Sequence, residues 1–106
     1  MAMELSKADD GSGKHTITIV GEIDLYTSPK LRSAITESVP AASRALHVSL
    51  ASVEYMDSSG VATLVEGLRA AMERNLEFVL LSPSPSVLKV LQLSRLDTVF
   101  TIREHA

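Results

Sequence analysis

The chain of 106 residues has no cysteine, no tryptophan and only three histidines. Without cysteine, a disulfide-stapled secreted scaffold and a thiolate zinc site are excluded. His15, His47 and His105 lie in separate segments with no ligand-like spacing, so neither a metal nor a cofactor is assigned. Long apolar runs are missing too. The longest, Phe78 to Leu81, falls far short of the roughly 20 residues that span a bilayer. The first ten residues lack the basic and apolar regions of a secretory leader. The expectation is a cytoplasmic protein with no membrane insertion. Positive charge is in short supply: 10 Lys and Arg against 13 Asp and Glu give a net charge of −3. A dedicated nucleic-acid binder normally carries a basic stripe, so direct nucleic-acid binding is not expected. The length predicts one domain over residues 1–106.

What is present is an alternation of strand and helix patterns. Asp9-Asp-Gly-Ser-Gly-Lys14 reads as a hairpin loop between two strands. In His15 to Val20, Ile17 and Ile19 alternate with Thr16 and Thr18, the period of a strand. Gly21 to Tyr26 leaves that strand. Thr27-Ser-Pro-Lys offers hydroxyl caps and a first-turn proline to a short helix carrying Leu31, Ala34, Ile35 and Val39, which Pro40 is expected to stop. Arg44 to Leu50 predicts a strand, with His47 half exposed on the face opposite Leu46, Val48 and Leu50. Ala51 to Met56 reads as a connection with some strand character.

Val61, Leu64, Val65, Leu68 and Met72 then recur at helical spacing and predict a core-facing stripe. Asn75, the one asparagine, suits a left-handed residue after a helix. Glu77 to Leu81 predicts a buried strand, Pro85 opens a helix through Leu93, and Thr98 to Ile102 predicts an edge strand. The order is β-β-α-β-α-β-α-β. The expected class is α/β: a single mixed sheet, with mostly parallel inner strands, packed against helices.

The segment richest in chemistry is Tyr55-Met-Asp-Ser-Ser-Gly-Val61. It sets two hydroxyls and a carboxylate at the start of a helix, where unpaired N–H groups and a partial positive charge gather. Two readings fit this local pattern. Asp57 or Ser58 is simply the N-cap. Alternatively a serine hydroxyl is exposed there, and its phosphoester is tolerated electrostatically.

Three segments resemble the STAS family, specifically the bacterial anti-sigma factor antagonists. They are Val53 to Leu64 with its Asp-Ser-Ser-Gly, the loop Gly21-Glu-Ile-Asp-Leu-Tyr-Thr27, and Ser84 to Phe100. The element order matches the STAS fold as well. The resemblance implies that Ser58 is phosphorylated by a partner that is both serine kinase and anti-sigma factor. It implies that the unphosphorylated form binds this partner and frees its client, and that a PP2C-type phosphatase reverses the modification. Partner-binding positions implied are Glu22, Asp24, Tyr26, Asp57, Ser58, Ser59 and Gly60. A second role within the same family is a subunit of a membrane-associated ABC-type transporter, binding its ATPase or permease without phosphorylation. Two positions depart from the pattern. Arg95 stands where glycine is frequent, and Leu25-Tyr26 is more apolar than in many relatives.

Catalysis by the chain itself finds little support. Glu22 and Asp24 follow a strand as solvated loop charges do. A serine hydrolase needs a base and normally Gly-x-Ser-x-Gly, and Met56-Asp-Ser-Ser-Gly-Val61 lacks the first glycine. No glycine-rich phosphate loop is present. The expectation is a regulatory binding protein, not an enzyme.

Overall fold

In the computed structural model, which describes residues 2–105, eight elements follow in the expected order. They are β1 (Met3–Asp9), β2 (Lys14–Ile23), α1 (Ser28–Ala41), β3 (Ala45–Met56), α2 (Ser58–Glu73), β4 (Glu77–Leu81), α3 (Pro85–Leu93) and β5 (Thr101–Arg103). The strands form one sheet in the order β1-β2-β3-β4-β5. β1 is antiparallel to β2, and the remaining neighbours are parallel.

Every parallel crossover steps the same way across the sheet. Right-handed connections therefore put all three helices on one face. Ile17, Ile19, Leu46, Val48, Leu50, Phe78 and Leu80 point to that face. They join Leu31, Ile35, Leu64, Ala71, Val87 and Leu91 from the helices in one core.

β2 and β3 run further than the alternation of side chains predicts. β2 reaches Ile23 and β3 reaches Met56. Register shifts between Thr18 and Val20 and between Gly21 and Glu22 break the simple alternation while the pairing continues. The bulged ends turn Ile23, Val53 and Met56 into the core. Gly21 sits at φ 112°, and a Cβ there would collide with the carbonyl of Ala2.

Helix α1 runs one residue past Pro40 to Ala41 instead of stopping at the proline. Pro40 lies in the last turn, where little helix remains to be disrupted, and the amide of Ala42 still closes on Ser38 O at 2.9 Å. In α2 the buried face is Gly60, Thr63, Leu64, Gly67 and Ala71. The larger residues Val61, Val65 and Leu68 flank it, and Met72 is 65% exposed, contrary to its predicted core role. Close packing explains the rotation. A Cβ on Gly67 would lie 3.0 Å from Phe78 and 3.2 Å from Ile35. Only a small residue fits at position 67, so of the larger stripe residues Leu64 alone is fully buried and the others are turned aside.

His47 is buried at 3% exposure, not half exposed. It lies on the helix-free face between Thr16 and Val79 in the sheet register. Among the described residues its Nδ1 has no hydrogen-bond partner, and its Nε2 is 3.9 Å from Glu77. Burial first, then nearby Lys14, lowers its pKa despite Glu77, so at neutral pH the ring is uncharged and this is no ion pair. Asn75 takes the left-handed conformation predicted for it, at φ 56°. Arg95 adopts a left-handed φ of 59° without being glycine. The last strand is Thr101–Arg103, shorter and later than the predicted Thr98 to Ile102. Among the described residues, no helix is long and apolar enough to cross a membrane.

Candidate functional site at the mouth of α2

The site lies at the carboxyl ends of β2 and β3, where the chain leaves the sheet for α1 and α2. The extended pairing places Glu22 opposite Tyr55 and Ile23 opposite Met56. The amide of Asp57 then donates to Ile23 O at 3.1 Å. Glu22 and the Asp-Ser-Ser-Gly segment are far apart in sequence, and the sheet brings them side by side.

Asp57 is the N-cap of α2. Its backbone is extended (φ −107°, ψ −170°), and Oδ1 accepts from the amide of Ser59 at 2.9 Å. Its carbonyl accepts from Gly60 and Val61. With the cap supplied by Asp57, Ser58 becomes the first helical residue and is exposed. Ser59 is half-buried, and its carbonyl accepts from the Thr63 hydroxyl at 2.9 Å. Gly60 is buried. A Cβ there would stand 2.5 Å from Met56 Cγ and 2.8 Å from Ile23 Cγ2, so glycine lets the helix sit down on the strand ends.

The loop Asp24–Thr27 is closed by its own side chains. Asp24 Oδ1 accepts from the amides of Tyr26 at 2.9 Å and Thr27 at 3.0 Å. The Thr27 hydroxyl accepts from the Asp24 amide at 2.8 Å and donates to Glu22 O at 2.9 Å. Asp24 is only 8% exposed. Burial pulls its carboxyl upward, but the bonds from Thr27 and Tyr26 outweigh this and hold it below the usual carboxylate range. Asp24 therefore shapes the loop from inside rather than presenting a charge outward. Thr27, expected to cap α1, makes no side-chain cap bond, because its hydroxyl is spent in the loop.

The loop displays Leu25 and Tyr26 to solvent, at 67% and 86% exposure. Glu22 is half-buried at the strand end. The structure thus gathers all seven sequence-selected positions at one end of the sheet. It separates them into inner ones, Asp24 and Gly60, and outer ones. Leu25 is the loop residue that sequence reasoning left out of the site, and Thr27 closes the loop from within, where a partner contact is expected of it. The available signal was Asp-x-x-Thr, a pattern whose side chains close a turn and lift the two residues between them.

A family model described as Mlab, STAS domain matches residues 7–104. The anti-sigma-B factor antagonist of Listeria monocytogenes is 30% identical over 87 residues, covering 82% of this chain and 76% of that protein. Among solved structures, an anti-sigma factor antagonist from Mycobacterium paratuberculosis superposes with a TM-score of 0.86 at 25% identity. It covers 97% of this chain and 86% of the other. The anti-sigma factor antagonist SpoIIAA in its unphosphorylated form gives 0.80 at 25% identity, over 93% and 87% of the two chains. The chain belongs to the STAS domain family.

Proposed function

We propose that the chain is an anti-sigma factor antagonist that works by partner switching. In this reading the unphosphorylated chain binds an anti-sigma factor that is also a serine kinase, and so releases that factor's client. Phosphorylation of Ser58 blocks binding, and a PP2C-type phosphatase restores the binding form. The chain performs no catalysis of its own.

One observation carries the reading. Asp57 takes the capping role, and Ser58 stands exposed at the positive end of α2. A phosphate there adds about −1.5 to −2 charges at neutral pH. Amides at the helix mouth tolerate it within the fold. Toward a partner it joins Asp57 and Glu22, and the combined charge disfavours a closely fitted contact. The absence of a local base is no obstacle, because a kinase supplies its own. Glu22, Tyr26, Asp57, Ser58 and Ser59 form the contact surface in this reading, with Asp24 and Gly60 shaping it from beneath. Support also comes from the relatives: the Listeria protein and SpoIIAA are named as antagonists, and SpoIIAA has an unphosphorylated form.

Incubation with the cognate serine kinase and ATP, followed by mass spectrometry, is expected to add one phosphate at Ser58. Ser58→Ala should accept none, and Ser58→Asp should bind the kinase more weakly than wild type. Phosphate on the Ser58→Ala variant would overturn the site. Stable co-purification with a transporter ATPase, without phosphate transfer, would replace the reading with that of a transporter subunit.

A further inference from the structure

We propose that Ser84 is a positioning residue for the phosphorylation of Ser58. Carried by a proline-stiffened segment, it fixes the free edge of the strand that leads into Ser58. The inference rests on the reading of Ser58 given above and adds to it a residue outside the contact surface named there.

The end of β3 is supported differently on its two edges. On one edge, β2 pairs with it as far as Met56. On the other, pairing with β4 stops at Ser49, opposite Leu81. Residues 50–56 run on with no strand beside them on that edge, and Asp57 and Ser58 follow directly. Ser84 occupies this place. Its amide donates to Leu50 O at 3.3 Å, and its hydroxyl donates to Val53 O at 2.6 Å.

The segment that delivers Ser84 is stiff by composition. Ser82 turns the chain off the line of β4 at a left-handed φ of 46°, and its amide donates to Arg103 O at 2.6 Å. The ring of Pro83 fixes its own φ. Pro85 disfavours a helical conformation at the residue before it. Ser84 is accordingly extended, at φ −60° and ψ 161°. Its hydroxyl is aimed at β3 by a backbone with few alternatives.

That hydroxyl has two separate duties. It donates to Val53 O, and as the N-cap of α3 it accepts from the Val87 amide at 3.3 Å. The second duty stabilises α3. Only the first reaches the end of β3. From Val53 the path to Ser58 is short, because Met56 packs beneath Gly60 and Asp57 caps α2. Tyr26 is held separately, by the Asp24 carboxylate on the β2 side. Loosening Val53 therefore shifts Ser58 relative to the rest of the contact surface. In the transfer, the γ-phosphoryl of ATP moves to Ser58 Oγ, ADP leaves, and the hydroxyl proton passes to the kinase's base. Misplacing an attacking atom by about 1 Å costs up to about 100-fold.

The test uses the serine kinase that phosphorylates Ser58, with the full chain as wild type, Ser84→Thr, Ser84→Ala and Ser84→Asp, all below their melting temperatures. Threonine keeps both duties and alanine loses both. Aspartate keeps the cap but cannot donate to Val53 O, and any effect of its charge on docking falls on KM. Ser84→Thr is expected to match wild type. Ser84→Ala and Ser84→Asp should both lose about tenfold in kcat. In 15N–1H spectra of the free chain, both should move the amides of residues 57 to 60, and Ser84→Thr should leave them in place. If wild type takes no phosphate at Ser58, the Ser58 reading falls and the positioning role with it. Phosphorylation of wild type with unchanged kcat in Ser84→Ala overturns the positioning role alone. So does a loss carried by KM alone in Ser84→Ala. Ser84→Asp at wild-type kcat would leave helix capping as the whole contribution and overturn the role, as would unmoved amides at residues 57 to 60 in both variants.

Discussion

The amide of Asp57 donates to the carbonyl of Ile23, and this one bond ties the loop before α1 to the mouth of α2. Ile23 is the last residue of β2, and Asp57 is the cap of α2. Two segments more than 30 residues apart in sequence are thus held as one surface.

Capping is divided unequally between neighbours. Asp57→Ala should destabilise the fold by about 1 kcal/mol, read as a lower urea midpoint at unchanged slope. Asp57→Asn should keep most of that stability, since its side-chain oxygen can accept from the same amide. Ser58→Ala should stay within about 0.5 kcal/mol of wild type. Equal losses at 57 and 58 would show that Ser58 shares the cap.

Gly60 tests how tightly α2 sits on the strand ends. Alanine ordinarily favours a helix over glycine by about 1 kcal/mol. Here its Cβ would stand 2.5 Å from Met56 Cγ and 2.8 Å from Ile23 Cγ2. Crowding should win, with a net loss of about 1–2 kcal/mol in thermal or urea unfolding. A stabilised Gly60→Ala would mean that the Met56 side chain swings clear.

Arg95 holds a left-handed φ of 59° after α3. That conformation is unfavourable for an L-residue and free for glycine. Arg95→Gly should therefore raise stability by about 1 kcal/mol, while Arg95→Ala should change it little. If alanine stabilises as much as glycine, the arginine side chain and not its backbone is the source of the strain.

His47 makes stability depend on pH in a defined direction. Burial and the facing cations Lys14, Arg103 and Arg44 lower its pKa, and Glu77 only partly offsets them. Above about pH 6.5 the ring is neutral whether folded or unfolded. Below it, the unfolded chain takes up a proton that the folded chain resists, so stability falls with decreasing pH. The drop in urea midpoint from pH 7.5 to 5 should be smaller in His47→Val than in wild type. An equal drop in both would assign the pH dependence to other groups.

The legible parts of the sequence were those set by local rules. Alternating Thr and Ile gave β2, the proline at position 29 marked the start of α1, and Asn75 marked the end of α2. The element order followed, and with it the sheet. Long-range contacts decided the rest. Helical periodicity turns Met72 inward, but Gly67 packs closely against Phe78 and Ile35, a contact that no periodicity records. His47 reads as half exposed from strand alternation, but it is buried, and Lys14, Glu77 and Arg103 act on it from the neighbouring strands. β3 outran its pattern because bulges let pairing continue after strict alternation ended. At the site, the Asp-Ser-Ser-Gly segment was visible by itself. Its joining to the Gly21 loop depended on the register of two strands.

The strands lie side by side in the order in which they are made. Each strand takes the place beside its predecessor in the chain, with no insertion between earlier neighbours. The β2–β3 pair, α1 and the first turn of α2 are all encoded before residue 62, and they contain the whole candidate site. β4, α3 and β5 arrive later and extend the sheet on the far side. A domain generally folds as a unit, so the surface around Ser58 is finished only when Phe78, Leu80, Val87 and Leu91 close the core it shares with them. The C-terminal third contributes no residue to the site, and it locks in place a surface encoded wholly upstream of it.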